Sequence, residues 1–241
     1  MSTTTTTTTA RPAPTAHPYD DTDVIDARAP RFNQATIGLV SLVAVLTGWW
    51  VLLAVLAVQL LLGLRFGRRW CLACVAYFRF VQPRLGEGRV EDARPPRFAN
   101  QVGAVVLSAA TLAYLAGLPP VGAALGGVVA FLALLSAVTG FCTGCELYKL
   151  LARFRGVRAG AVGAIDLAGL GAPAAGVVVV QFTHPLCSDC HELERRLAAG
   201  PRPLHAVDVS RRPDLARRYH VAVVPTAFVV AGDGTVLERL A

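Results

Sequence analysis

Residues 101–141, QVGAVVLSAATLAYLAGLPPVGAALGGVVAFLALLSAVTGF, carry no charged side chain. Uncharged stretches of this length mark bilayer-spanning helices, each of which needs about 20 apolar residues. Pro119 and Pro120 interrupt the stretch, because proline lacks the N–H that a helix interior uses and its ring clashes with the turn before it. Residues 101–116 and 121–141 are therefore expected to form a helical hairpin. Upstream, residues 35–46 and 50–64 flank Thr47-Gly48 in the same manner. One long tilted helix over residues 35–64 is the alternative there, since the first run is short for a full span. The composition fits membrane segments: 54% of the residues are hydrophobic and 16% charged, and the mean hydropathy is +0.51. That is too apolar for an ordinary soluble domain.

The two hairpins read as copies of one unit. RFNQATIGLV, from Arg31, and RFANQVGAVV, from Arg97, open the copies. Each copy ends in a C-x-x-C with a tyrosine three residues on, CLACVAY (Tyr77) and CTGCELY (Tyr148). Shared openings and endings over residues 31–85 and 97–155 select two hairpins over one long helix. The expectation is a four-helix membrane bundle over residues 31–158, a small-residue linker at 159–175 and a small α/β domain at 176–241.

Charge gives the sidedness. The turns TGWW and GLPP are uncharged, whereas Arg65, Arg68, Arg69, Arg79, Arg84, Arg89, Arg94 and Arg97 follow the first hairpin. Lys149, Arg153, Arg155 and Arg158 follow the second. Basic residues flanking spans stay in the cytoplasm, so both membrane C-x-x-C pairs, the termini and the C-terminal third are expected there, in a multi-pass protein of a bacterial inner membrane. An outward-facing chain would be an envelope protein instead. Membrane orientation accounts for the net charge of +7 better than nucleic-acid binding, which is not expected. The Thr/Pro/Ala-rich start has no basic region before an apolar core and so is no secretory signal. Residues 1–30 are expected as a disordered tail, with His17 solvated. One lysine against many arginines, with abundant Ala, Gly and Val, suggests a GC-rich bacterial genome.

All six cysteines fall in C-x-x-C pairs, Cys71/Cys74, Cys142/Cys145 and Cys187/Cys190, which points to dithiol or metal chemistry. A cytoplasmic position disfavours permanent disulfides. The C-terminal third reads β-α-β-α-β-β: VVVVQF (177–182), HELERRLAA, LHAVDV (204–209), PDLARRYH, then two strands around Gly232-Asp233-Gly234. The dithiol sits between the first strand and its helix, where free N–H groups and the dipole favour thiolate. Cys187, at the helix mouth, is expected as an exposed nucleophile and Cys190 as the resolving thiol. His184 and His191 would add positive character and Asp189 oppose it.

QFTHPLCSDCHELE, followed 35 residues after Cys190 by Val224-Pro225-Thr226, resembles a thioredoxin-fold domain over roughly residues 174–241. The resemblance implies that Cys187 attacks, Cys190 resolves and Pro225 shapes a groove for extended substrate chains. Gln181 stands where that family places a buried Asp assisting proton transfer, so a water, Glu192 or His191 would have to serve. The chain lacks the family's final helix, so one sheet face is expected to lean on the membrane half or the bilayer. Residues 30–156, with RFNQ, PRLGEGRVEDARPPRFANQVG and GFCTGCELYKL, are similar to an uncharacterised bacterial four-helix membrane domain whose members accompany thioredoxin-like and sulfurtransferase proteins.

Three functions fit. The first is a membrane-tethered thiol–disulfide oxidoreductase passing electrons, or sulfane sulfur as a persulfide on Cys187, between the terminal dithiol and one or both membrane pairs. Its partner would be a thiol/disulfide protein or a sulfurtransferase, and it needs no cofactor beyond its redox-active disulfide. The second is a soft-metal site closed by Cys71, Cys74, Cys142 and Cys145 and kept reduced by the terminal domain. The third is a plain anchor whose membrane cysteines only pack. Cysteines at the ends of apolar helices would meet a negative dipole end, opposed for Cys71 by Arg68 and Arg69. Asn33-Gln34 and Asn100-Gln101 read as helix caps or, alternatively, as a quinone contact. Trp49 and Trp50 read as interface anchors, and Arg31 and Arg97 as flank charges. His184 or His191 could complete a zinc site with Cys187 and Cys190. His205 and His220 read as surface or packing residues, and Arg211, Arg212, Arg217 and Arg218 as a solvated helix face.

Overall fold

At Gly48 the backbone turns left-handed (φ 74°), a conformation that glycine adopts without steric cost. It ends α1 (Arg28–Thr47) and lets α2 (Val51–Phe66) fold back. Pro119 and Pro120 open α6 (Pro119–Thr139) after α5 (Arg94–Leu115), as first-turn prolines can because no intrahelical partner is lost there. The structure, a computed structural model, describes residues 16–158, 162–173, 176–221 and 223–240.

The four helices form a ring: α1 packs on α6, α6 on α5, α5 on α2 and α2 on α1. Ile37, Ala44, Leu53, Leu60, Leu107 and Val129 fill its centre. Gly38 allows α1 and α6 to approach closely, since a Cβ there would lie 2.7 Å from Leu134 Cγ. Leu39, Val55, Val105 and Phe131 point outward and are exposed. Three helices, α1, α5 and α6, are long and apolar enough to cross a membrane; α2, at 16 residues, is shorter.

Between the hairpins come α3 (Leu72–Ala76), a π turn (Tyr77–Val81) and α4 (Gln82–Leu85). A two-stranded antiparallel ribbon then pairs β1 (Val24–Asp26) with β2 (Val90–Asp92). Residues 1–15 of the expected tail lie outside the described residues. Residues 24–30, expected as part of that tail, are instead built into the fold. Val24 and Ile25 are buried, and Asp26 accepts hydrogen bonds from Tyr77 Oη (3.0 Å) and the Gly88 N–H (3.0 Å). Arg68 fastens the same stretch by donating to the carbonyls of Pro18, Asp21, Thr22 and Val24.

After α7 (Thr143–Arg158), which packs on α5, a second unit follows. Its sheet has the order β4-β3-β5-β6, built from β3 (Val178–Thr183), β4 (Leu204–Asp208), β5 (Thr226–Val230) and β6 (Val236–Arg239). β3 and β4 are parallel and the other pairings antiparallel. α9 (Ser188–Ala198) links β3 to β4, and α10 (Pro213–Arg218) precedes β5. Part of the expected linker belongs to this unit. Residues 159–161 and 174–175 lie outside the described residues, but α8 (Leu167–Leu170) is capped by Asp166. Ile165 and Leu167 are buried in the core with Val180, Phe182 and Phe228, because small residues around two large apolar ones can seal an open sheet face.

Candidate functional site

The three C-x-x-C pairs share one local geometry. Cys71 precedes α3, Cys142 precedes α7 and Cys187 precedes α9. In each, the first cysteine's Sγ accepts the N–H of the second, at 3.3, 3.3 and 3.2 Å respectively. The first two pairs therefore lie at the positive starts of new helices, not at the negative ends of the apolar helices as expected. Gly140 causes the change for the second pair: its left-handed backbone (φ 76°) stops α6 two residues before Cys142. A sulfur capping a helix start receives N–H hydrogen bonds, which favour thiolate.

Cys71–Cys74 and Cys187–Cys190 are disulfide-bonded, each with Cα atoms 5.2 Å apart, while Cys142 and Cys145 are free thiols. The free pair is polarised. The Cys145 thiol donates to Cys142 and pulls it down to about 6, helped by the N–H groups of Cys145 and Gly144 and the Ser136 hydroxyl, against the cost of burial. The same hydrogen bond, with burial, pushes Cys145 up. Cys142 is thus the thiolate and Cys145 the thiol.

One cavity of about 280 Å³ is lined by Cys142 and Cys145 from the helical half and by Cys187, Asp189, Val223 and Val224 from the terminal unit. Its wall also includes Arg31 and Gln34 of α1, Glu91 and Asp92 of β2, Ser136 of α6, and Glu146 and Lys149 of α7. Cys71 and Cys74 line a different, smaller cavity of about 120 Å³ with Asn33, Gln59, Arg68 and Asn100. The four membrane cysteines are thus not gathered in one place. Among the described residues, no group of three or more His, Cys, Asp or Glu side chains is disposed to hold a metal ion.

Cys187 is not the exposed nucleophile expected: it and Cys190 have 0% exposure. What covers them is the segment ending in β2. Arg89 forms ion pairs with Asp189 and with Glu192, and the Val90 N–H donates to Ser188 Oγ (3.0 Å). The Val224 N–H, one residue before the cis-linked Pro225, donates to Asp92 Oδ2 (3.1 Å). Burial pushes the Asp92 carboxyl above the ordinary carboxylate range, against the Arg94 and Val224 N–H groups that favour its charged form. The start of α9 and the loop before β5, and not the sheet face expected, meet the helical half through these contacts.

Gln181 is fully buried beneath the dithiol. Its Nε2 donates to Cys190 O (2.8 Å) and its Oε1 has no partner among the described residues. His184 is buried, with Nδ1 accepting the Leu186 N–H (3.2 Å), and His191 is exposed. Glu192 is engaged by Arg89 and Arg196. Asn33 and Asn100 do not cap helices. They lie inside α1 and α5, where Asn33 Nδ2 donates to Asn100 Oδ1 (3.2 Å) and Cys71 Sγ lies 3.9 Å from Asn33 Oδ1. Trp49 is exposed, while Trp50 stacks on Tyr114 with ring centres 6.0 Å apart. His205 Nε2 sits 3.0 Å from Leu170 O, tying β4 to α8. Sequence reasoning missed Arg89, Asp92 and Ser188. The one available signal was the paired Glu91-Asp92, acidic in a stretch otherwise dominated by arginine.

Comparison with curated proteins and with solved structures returned no match to this chain. A family model described as a domain of unknown function, DUF4395, matches residues 25–153. The match runs from β1 into α7 and includes the Cys71/Cys74 and Cys142/Cys145 pairs but not Cys187/Cys190. Because it covers more than half of the sequence, the chain belongs to the DUF4395 family.

Proposed function

We propose that this protein is a membrane-tethered thiol–disulfide oxidoreductase in which the terminal dithiol, Cys187/Cys190, exchanges electrons with Cys142/Cys145. The observation that carries the reading is the single cavity lined by Cys142, Cys145 and Cys187. The Cys142 thiolate attacks Cys187 Sγ, forming a Cys142–Cys187 bond as the Cys187–Cys190 bond breaks and Cys190 leaves. Cys145 then attacks Cys142 Sγ, giving a Cys142–Cys145 disulfide and releasing Cys187 as thiolate at the start of α9. Two electrons move to the terminal pair, the Cys145 proton passes to Cys190, and the thiolate charge moves from Cys142 to Cys187. The exchange is balanced and runs in either direction according to the partner's potential.

The terminal unit is read as thioredoxin-like. Support comes from its strand order, from the dithiol between β3 and α9, and from Val224, which precedes the cis-linked Pro225 and lines the same cavity as Cys187. We read α1, α2, α5 and α6 as four bilayer spans in two duplicated hairpins, with the dithiols on the cytoplasmic side by the arginine distribution. The external partner is a thiol/disulfide protein or a sulfurtransferase. Holding two dithiols at one cavity replaces a bimolecular encounter by an intramolecular one, with effective concentrations on the order of mM.

The test is a trap. In full-length protein carrying Cys145→Ala and Cys190→Ala, mild oxidation should join Cys142 to Cys187, detected as a linked peptide pair by mass spectrometry and lost on reduction. Absence of that pair, with both thiols still open to alkylation, would refute the relay.

A further inference from the structure

We propose that the segment of residues 89–92 occupies the groove beside Cys187 as a built-in stand-in for the protein segments this dithiol serves. It follows that external partners offer an extended stretch with a basic residue three positions before an acidic one. The inference extends the proposed exchange chemistry, but its test does not depend on Cys142.

Four contacts define the docked segment, and each has a generic counterpart in a partner. Arg89 neutralises Asp189, which lies between the two cysteines, and Glu192, two residues after Cys190. Val90, in an extended strand, gives its N–H to Ser188 Oγ between the two cysteines. Asp92 takes the N–H of Val224, a backbone donor that lines the same cavity as Cys187. Arg94 donates to Val221 O (3.4 Å) just beyond. The basic and acidic ends of the segment thus meet an acidic and an N–H-donating end of the groove, which sets its direction as well as its position.

The ion pairs that Arg89 makes to α9 are open to solvent. Arg89 is 62% exposed, and its partners Asp189 and Glu192 are 41% and 37% exposed at the side chain, so these pairs are screened and weak. Val90 and Asp92 are buried and paired with β1; against the terminal unit, the ribbon holds by single hydrogen bonds, each of small net value against water. Cys187 nevertheless has no exposure, so a partner protein reaches it only after this segment leaves. The chain would then alternate between internal exchange with the segment docked and external exchange with the segment displaced.

The test uses full-length protein in detergent carrying Cys142→Ser and Cys145→Ser, reduced, with Cys187 alkylation by iodoacetamide followed on its peptide by mass spectrometry. Adding Arg89→Glu and Asp92→Ala should speed alkylation of Cys187 about tenfold, the order expected from losing the ion pairs and one hydrogen bond. Ser188→Ala, on the other side of the contact, should give a smaller rise. Alkylation of Cys71 should be unchanged, which separates undocking from unfolding. A synthetic peptide of residues 86–94 should restore protection to the undocked variant in a saturable way, and the same peptide carrying both exchanges should not. An undocked variant that alkylates at the parent rate, or equal protection by the two peptides, would overturn the proposal. Because Cys142 and Cys145 are absent, failure of the relay and failure of this docking are read separately.

Discussion

Replacing Cys145 by alanine should reverse the pH behaviour of Cys142. In the native chain the Cys145 thiol is the largest influence holding Cys142 at about 6 rather than at 9.0. At pH 7 that makes roughly nine-tenths of Cys142 thiolate, against about one per cent at the ordinary value. A more acidic thiol is also a weaker nucleophile, and with a Brønsted slope of about 0.45 the same change costs roughly 20-fold in intrinsic rate. The two effects nearly cancel at neutral pH and leave the native protein only about fourfold ahead. A single rate there decides little; the profile decides. At pH 6 half of native Cys142 is thiolate, and the variant should alkylate roughly 20-fold more slowly. At pH 9 the order flips and the variant should lead by about tenfold. These figures take a full return to the ordinary value and so are upper limits. The assay is a brief iodoacetamide pulse on full-length protein between pH 5 and 10, with the Cys142 peptide quantified by mass spectrometry. Two parallel profiles with a common midpoint near 9 would show that Cys142 is not held as a thiolate by its neighbour, and the direction of attack in the relay would lose its basis.

Three further outcomes follow from the packing. Tyr77→Phe removes the hydroxyl that donates to Asp26 Oδ2 at 3.0 Å in a buried site, and should cost about 1–3 kcal/mol, seen as earlier thermal unfolding and faster proteolysis of residues 16–27. Gly38→Ala forces a Cβ to within 2.7 Å of Leu134 Cγ and should cost about 1–3 kcal/mol; Leu134→Ala in the same chain should relieve it, and an equal or larger loss in the double variant would contradict the close approach of α1 and α6. For sidedness, Leu118→Cys in the α5–α6 turn should react with an impermeant maleimide in intact cells, whereas Arg211→Cys should react only after permeabilisation. The opposite pattern would turn the protein outward.

Much of the secondary structure was legible because its signals are local. The uncharged runs became α1, α2, α5 and α6, broken at Gly48, where the repeat had selected a hairpin over one long helix, and at Pro119, where proline opens a new helix. VVVVQF and LHAVDV lie at β3 and β4, and Gly232-Asp233-Gly234 lies between β5 and β6. The ends were less legible. α1 begins at Arg28, before its apolar run, because Asp26 and the β1–β2 ribbon hold the chain there, and Ile165 was hidden among small residues that resemble a linker.

By itself, the sequence determined which segments are apolar enough to leave water and that every cysteine has a partner three residues away, since both are properties of near neighbours along the chain. The tertiary structure alone decided that Cys142/Cys145, and not Cys71/Cys74, meets Cys187, and that residues 89–92 cover it. The Arg89 and Asp92 contacts join residues 100 and 132 positions apart in the chain. Contacts at such separations depend on how whole helices pack around Gly38 and Gly140, which no periodicity in a short window records.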